Sequence, residues 1–211
     1  MEGIAVTTQD IQVPLTPDSV LADLKAGNER FVSRRPLLRD WIALAEESAK
    51  AQHPKAIILG CIDSRVPVEV IFDQAIGDVF VARVAGNFVN DDILGSMEYA
   101  TQIAGANLVV VLGHTSCGAI KGAIDGLEFE HVTGMLANIK PAIEAAAASG
   151  EELDSCCDAH VDRVVEENVR TAVHKISRES SVMASAIAAD KLRVVGAIYE
   201  LSTGRVHWLD G

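Results

Sequence analysis

Two aliphatic runs constrain this chain more than any other feature: Ala56-Ile57-Ile58-Leu59-Gly60 and Leu108-Val109-Val110-Val111-Leu112-Gly113. Neither alternates apolar with polar residues, so neither offers a face to water. Runs of this kind are the interior strands of a parallel sheet covered by helices on both sides. Each is followed at once by residues that carry chemistry. The first leads into Cys61-Ile62-Asp63-Ser64-Arg65, the second into His114-Thr115-Ser116-Cys117-Gly118. Both pieces fall where a strand ends and a helix begins, the carboxyl edge at which open α/β sheets bind ligands.

The rest of the chain fills in the same plan. Thr16-Pro17-Asp18 reads as a helix start, with a capping hydroxyl, a first-turn proline and an acid near the positive end of the dipole. Leu21, Leu24 and Phe31 then mark one apolar face as far as Ser33. A second helix is expected over 41–51. These two amphipathic helices precede the first strand and have either this sheet or a partner subunit to pack on. Strands are expected at 55–60, 78–84, 108–113 and 193–199, with 205–209 returning as an antiparallel edge after the turn Ser202-Thr203-Gly204. Residues 66–72 form a short helix or turn. Asp91 or Asp92 caps a helix with the face Ile93, Met97, Ala100 and Ala104, stopped by Gly105. Helices follow at 118–124, at 132–148 with a kink or break at Pro141, at 161–176 and at 182–189. Residues 149–155 form an acidic loop and 1–15 an extended arm. The fold class is α/β: a mainly parallel central sheet of about four strands plus an antiparallel edge strand, helices on both faces and an N-terminal helical extension. The chain reads as one domain, with 1–51 as arm and first helices and 52–211 as the core.

A length of 211 residues suffices for one domain with its own core. Eighteen basic residues against thirty acidic ones leave a net charge of −12, which argues against binding nucleic-acid phosphates. No apolar run reaches the roughly eighteen residues that span a bilayer, so no membrane partner is expected. Residues 1–14 lack the basic start and apolar stretch of a secretory leader. The four cysteines do not make the framework of a small secreted domain. The expected location is cytoplasmic, or periplasmic if a leader has been trimmed.

Two thiols and an imidazole at one sheet edge are a zinc donor set. His114 and Cys117 are three apart, so one tight turn can present both, and Cys61 comes from an equivalent strand end. Such a Cys₂His set leaves one position of a tetrahedral ion for water or a fourth side chain. Asp63 and Arg65 are alternate residues, which project the same way from extended chain. Arg65 can then hold Asp63 through paired hydrogen bonds and keep it ionised. Asp63 could accept a hydrogen bond from zinc-bound hydroxide, or bind the zinc itself. Cys156-Cys157-Asp158-Ala159-His160 reads as two ordinary thiols, because adjacent helical positions do not face each other. His53, His131, His174 and His207 read as surface or core histidines.

Cys61-Ile62-Asp63-Ser64-Arg65-Val66-Pro67 and His114-Thr115-Ser116-Cys117-Gly118-Ala119 closely resemble the β-class carbonic anhydrases, and the resemblance extends from Leu21 to Leu209. It implies reversible hydration of carbon dioxide to bicarbonate and a proton, with zinc on Cys61, His114 and Cys117 and with Asp63 and Arg65 as the catalytic dyad. It also implies a homodimer, paired further into tetramers in some members, with each site at the subunit boundary. Gln52, Phe80, Tyr99 and Gly118 resemble the family's substrate-pocket residues, the first three meeting the zinc across the dimer interface. Gly86-Asn87 matches the family's ending of the second strand. Val84 stands where many members carry asparagine, and Ala85 where valine is common, which alters the pocket wall.

Two other functions share these ligands. One is hydrolysis of carbonyl sulfide or carbon disulfide on the same fold; the other is zinc binding without turnover, with Asp63 closing the site. Gln52 and Tyr99 favour the anhydrase. Some members of the family close when the aspartate binds zinc, favoured by bicarbonate in a pocket marked by a tryptophan three residues before the first cysteine. Ile58 occupies that position here and lacks an indole face and N–H. The expectation is that the pocket is absent and that Asp63 stays on Arg65 near and above neutral pH.

Overall fold

The aliphatic runs become β1 (Ala56–Gly60) and β3 (Leu108–His114), side by side and parallel in a five-stranded sheet. β2 (Val79–Arg83) flanks β1 and β4 (Arg193–Tyr199) flanks β3, again in parallel. β5 (Val206–Trp208) runs antiparallel along β4, giving the order β2-β1-β3-β4-β5. The computed structural model describes residues 15–148 and 150–209. The expected N-terminal arm lies outside them except for Leu15, as does Ser149 of the acidic loop. The helices are α1 (Pro17–Val32), α2 (Trp41–Ser48), α3 (Val68–Ile71), α4 (Asp91–Glu98), α5 (Gly118–Ile124), α6 (Glu130–Leu136), α7 (Lys140–Ala146), α8 (Asp158–Glu179) and α9 (Ser181–Ala188).

Every residue of β1 and β3 is buried, whereas β2, at the sheet edge, is half-buried. Side chains alternate between the two faces of a strand, and two cores follow from that. Ile58, Val110 and Leu112 meet Val20 and Leu24 of α1 and Ile71 and Phe72 at the end of α3. Ile57, Leu59, Val109 and Val111 meet Met97 of α4, Val169, Ala172 and Ile176 of α8, and Met183 of α9. Burial of each such side chain contributes roughly 1.5–3 kcal/mol. A third apolar cluster joins Cys61 and Cys117 to Ile120 of α5, Ile139, and Val161, Val164 and Val165 of α8. The carboxyl edge of the sheet is thus roofed by helices.

Several helix ends differ from expectation for local reasons. Asn90, rather than Asp91 or Asp92, caps α4: its side-chain oxygen accepts from the Ile93 N–H at 3.0 Å. Asp91 and Asp92 lie instead in the first turn, where their charge suits the dipole. α4 passes into a π-helical turn over Tyr99–Ile103 before Gly105, at φ +83°, ends it. The expected helix over 132–148 is two helices separated by a 3-10 turn at Ala137–Ile139. Pro141 sits in the first turn of α7, where a missing N–H costs nothing. α2 ends at Ser48, short of position 51, and α8 extends beyond both expected ends.

The two N-terminal helices differ in how far they pack on their own chain. α1 begins with a capping box, Thr16 with Ser19, and docks on its own sheet. Gly27 makes that docking close, since a Cβ there would lie 1.8 Å from the Phe72 carbonyl oxygen. One turn of contact is locked by buried Asn28, which donates to the Ile71 and Gly204 carbonyls and accepts from the Val206 N–H. Arg30 and Arg39 both pair with Asp73 and pin the segment leading into α2. α2 itself buries only Leu44. Leu38, Trp41 and Ile42, 85%, 51% and 70% exposed, are left without cover among the described residues.

Candidate metal centre

The sheet register sets the site. Gly60 is level with Leu112, so Cys61 leaves β1 close to the height at which His114 ends β3. Ser116, at φ +53°, turns the chain sharply, a sparsely populated conformation for a residue with a Cβ. Cys117 therefore comes back beside His114 as it opens α5. Cys61, His114 and Cys117 are all buried, and their donor atoms lie within 4.8 Å of one another. The two sulfurs are 4.0 Å apart. Two sulfurs each about 2.3 Å from one ion at the tetrahedral angle would be roughly 3.8 Å apart.

The histidine is oriented for the same purpose. Its Nδ1 lies 2.9 Å from the Thr115 carbonyl oxygen; Nδ1 must therefore carry the proton and donate it, which leaves the Nε2 lone pair free. That Nε2 is buried and has no hydrogen-bond partner. A buried acceptor left unsatisfied is costly and calls for a ligand. Sulfur, sulfur and imidazole nitrogen converging on one point fit a metal ion.

The thiols are electrostatically uneven. Cys61 is drawn down to about 4, chiefly by the hydrogen bond from the Cys117 thiol and against the desolvation of burial. Cys117 is pushed up by that same bond and by its own burial. The Gly86 N–H also donates to the Cys61 sulfur at 3.4 Å.

Asp63 and Arg65 meet as their spacing requires. Arg65 Nε donates to Oδ1 at 3.0 Å and Nη2 to Oδ2 at 2.7 Å, while the Arg65 backbone N–H donates to Oδ1 at 2.9 Å. These bonds, the side-chain ones first, hold the Asp63 carboxyl down to about 2. Asp63 Oδ2 stands 3.9 Å from His114 Nε2, facing the point where the donors converge. Gly118 is the first residue of α5, with open space on its Cα. Ile58 is fully buried in the apolar core under α1 and α3.

Gln52, Phe80 and Tyr99 are not brought to this point within the chain. Gln52 precedes β1 and is exposed on the amino edge, in a cleft shared with Leu44, Lys50 and Gly77. β1 separates it from Cys61 by roughly 16 Å of strand. The Phe80 and Tyr99 rings pack edge to face at 6.5 Å. They line a groove with Ile57, Ala82 and Gly95 that includes none of the metal-centre residues. Cys156 and Cys157 are exposed and half-buried free thiols ahead of α8. Among the described residues, only Cys61, His114 and Cys117 form a group close enough to hold a metal ion.

Two contributors escaped the sequence reading. Arg83, at the end of β2, donates Nε to the Cys61 carbonyl at 2.9 Å and Nη2 to the Asp63 carbonyl at 2.7 Å. It thereby fixes the loop that carries both residues. Asn168 of α8 is buried, with Nδ2 2.8 Å from the Gly86 carbonyl oxygen. Asn168 had a legible signal, one amide in the apolar stripe Val161, Val164, Val165, Val169, Ala172 and Ile176. An arginine at a strand end carried no such mark.

Fold and cluster define a class: a parallel α/β protein with a buried Cys₂His metal-binding centre at its carboxyl edge and a carboxylate–guanidinium pair beside it. The comparisons with known proteins narrow it. Residues 56–206 match the family model for carbonic anhydrase. A carbonic anhydrase of Mycolicibacterium smegmatis is 37% identical over 186 residues, covering 87% of this chain and 89% of that protein. Among solved structures, a β-carbonic anhydrase of Aspergillus fumigatus matches with a TM-score of 0.73 at 28% identity, over 92% of this chain and 90% of that one. One from a study of two tetrameric β-carbonic anhydrases of Sordaria macrospora matches at 0.70 and 25% identity, over 92% and 96%. The chain belongs to the carbonic anhydrase family, in its β class.

Proposed function

We propose that this enzyme holds one zinc ion on Cys61, His114 and Cys117 and hydrates carbon dioxide reversibly to bicarbonate and a proton. The observation that carries the reading is the buried, partnerless His114 Nε2, aimed between two sulfurs with the Asp63 carboxylate 3.9 Å away. Thiolate and imidazole donors suit zinc. When bound, zinc supplies a Lewis acid that brings the pKa of water down towards neutrality.

The chain's own residues do the rest. Asp63, ionised at any working pH, is an acceptor only. It takes a hydrogen bond from the attacking water and so turns a lone pair towards carbon dioxide. Arg65 holds that carboxylate in plane and keeps it from swinging towards the histidine. Arg83 holds the backbone on either side of Ile62. A stopped-flow assay of carbon dioxide hydration, with carbonyl sulfide as second substrate, tests the reading. Fast hydration is expected; preferential turnover of carbonyl sulfide would reassign the substrate, and no turnover by the zinc-loaded protein would remove the catalysis.

Gln52, Phe80 and Tyr99 complete the pocket from a second copy of the chain. Two facts support this: Gln52 lies on the opposite sheet edge from its own metal centre, and Leu38, Trp41 and Ile42 form an uncovered apolar face. The tetrameric relatives of Sordaria macrospora are in keeping with it. Light scattering under assay conditions is expected to find a dimer or larger, and Gln52→Ala to lower activity without loss of metal. A fully active monomer would overturn this arrangement.

A further inference from the structure

We infer that Asn168 is a positioning residue for the metal centre: it holds the Gly86 carbonyl and so fixes the backbone torsions of Gly86, which keeps the Gly86 N–H, on the preceding peptide, bonded to the Cys61 sulfur. The inference rests on Cys61 being a metal ligand, as proposed above.

The geometry forms a continuous chain. Asn168 is 3% exposed and sits on the core-facing stripe of α8. A buried amide is costly unless it is hydrogen-bonded, and Asn168 donates to the Gly86 carbonyl at 2.8 Å. Gly86 lies at φ +81°, and a Cβ there would come within 2.7 Å of Ile139 Cδ1. Glycine permits this conformation but does not select it, because it visits many others as readily. Something outside the residue must choose. Its N–H, turned inward, donates to Cys61 Sγ at 3.4 Å.

The helix is placed for the task. A Cβ on Gly113, the residue before His114, would lie 2.7 Å from Val169 Cγ2, and one on Gly196 2.7 Å from Val169 Cγ1. The two glycines let α8 approach β3 and β4 closely enough for Asn168 to reach the loop. Two turns further on, Lys175 donates to the Val89 carbonyl at 2.9 Å. The helix therefore clamps the 86–89 loop at two points of one face.

A hydrogen bond to a ligating thiolate draws charge off the sulfur. Outer-shell partners of this kind tune metal affinity and Lewis acidity. With two thiolates in the donor set, withdrawing charge from one leaves the metal a better acid. Asn168 acts on the centre through the Gly86 backbone, from its carbonyl to its N–H, and touches no substrate.

The test reads the sulfur, not turnover. Native protein loaded with the magnetic cadmium isotope should show a scalar coupling from the metal to the Gly86 amide proton, besides couplings to Cys61, Cys117 and His114. In Asn168→Asp, which keeps the volume but loses the donor, and in Asn168→Ala, that amide coupling should disappear. In their cobalt forms the thiolate-to-metal charge-transfer band should move to lower energy, and cobalt affinity should fall by roughly 10–100-fold. Ile176→Ala, on the same helix but in the apolar cluster that holds neither Cys61 nor Cys117, should lower thermal stability and leave the band in place. Asn168→Ser serves if neither other variant folds. Folded variants with lowered stability but an unchanged coupling, band and cobalt affinity would overturn the inference, as would a native protein without the amide coupling. Missing couplings to Cys61, Cys117 and His114 would instead overturn the ligand assignment, and this inference with it.

Discussion

Cys61→Ser, His114→Ala and Cys117→Ser should each yield a folded protein that loses its metal on dialysis and with it nearly all carbon dioxide hydration. Loss of an outer-shell partner alone costs about 10–100-fold in affinity or activity; loss of a direct ligand should cost more. A serine hydroxyl is not ionised near neutral pH and does not replace thiolate sulfur, while alanine returns the His114 position to plain apolar lining. The fold itself should survive, since the three side chains sit at the carboxyl edge, above the two large cores on either face of the sheet. Metal analysis after dialysis, paired with stopped-flow hydration, checks the set. Near-stoichiometric zinc in all three variants would remove these residues as ligands.

Asp63→Asn should retain the metal and still lose activity, by roughly 10²–10⁴-fold, the range a positioned proton acceptor contributes. The amide keeps the shape but presents a donor where the reaction needs an acceptor. Arg65→Leu should lose activity by a different route, by freeing the carboxylate. The pH dependence separates the two roles. Hydrogen bonds from Arg65 hold the folded Asp63 pKa at about 2, below its ordinary 3.8. A group depressed in this way stabilises the fold above its ordinary value, and that contribution fades as pH falls through the folded one. The window is therefore between about pH 4 and pH 2. In Arg65→Leu the Asp63 titration should move up towards its ordinary value, and the slope of stability with pH across this window should flatten. Carboxylate titration by NMR reads the first and denaturant unfolding the second. An Asp63→Asn enzyme within tenfold of native activity would take the carboxylate out of the mechanism.

The residues that make local structure were legible in the chain itself. An all-aliphatic run such as Leu108–Gly113 cannot tolerate water on either side, so its place inside a parallel sheet follows from composition alone. The Thr16 cap, the first-turn proline of α1 and the break at Pro141 are likewise decided by groups a few residues apart. So was the Asp63–Arg65 pair, set by alternation along extended chain. The candidate metal ligands could be named because Cys61 directly follows one legible strand, His114 ends another, and Cys117 comes three residues later in the turn that opens the next helix. Tertiary structure alone decided which of these pieces share a height and a neighbour. The register of Gly60 on Leu112 brings Cys61 to His114, and no property of either run states it. Arg83 acts on Cys61 and Asp63 because β2 lies beside β1, and Asn168 acts on Gly86 from eighty-two positions away because α8 crosses the edge. Gln52 shows the same limit: its nine-residue distance from Cys61 suggests closeness, yet an extended strand carries it to the far edge of the sheet. Contacts between backbone carbonyls and distant side chains depend on packing distances that sequence spacing does not encode, and those are the contacts that hold this site in shape.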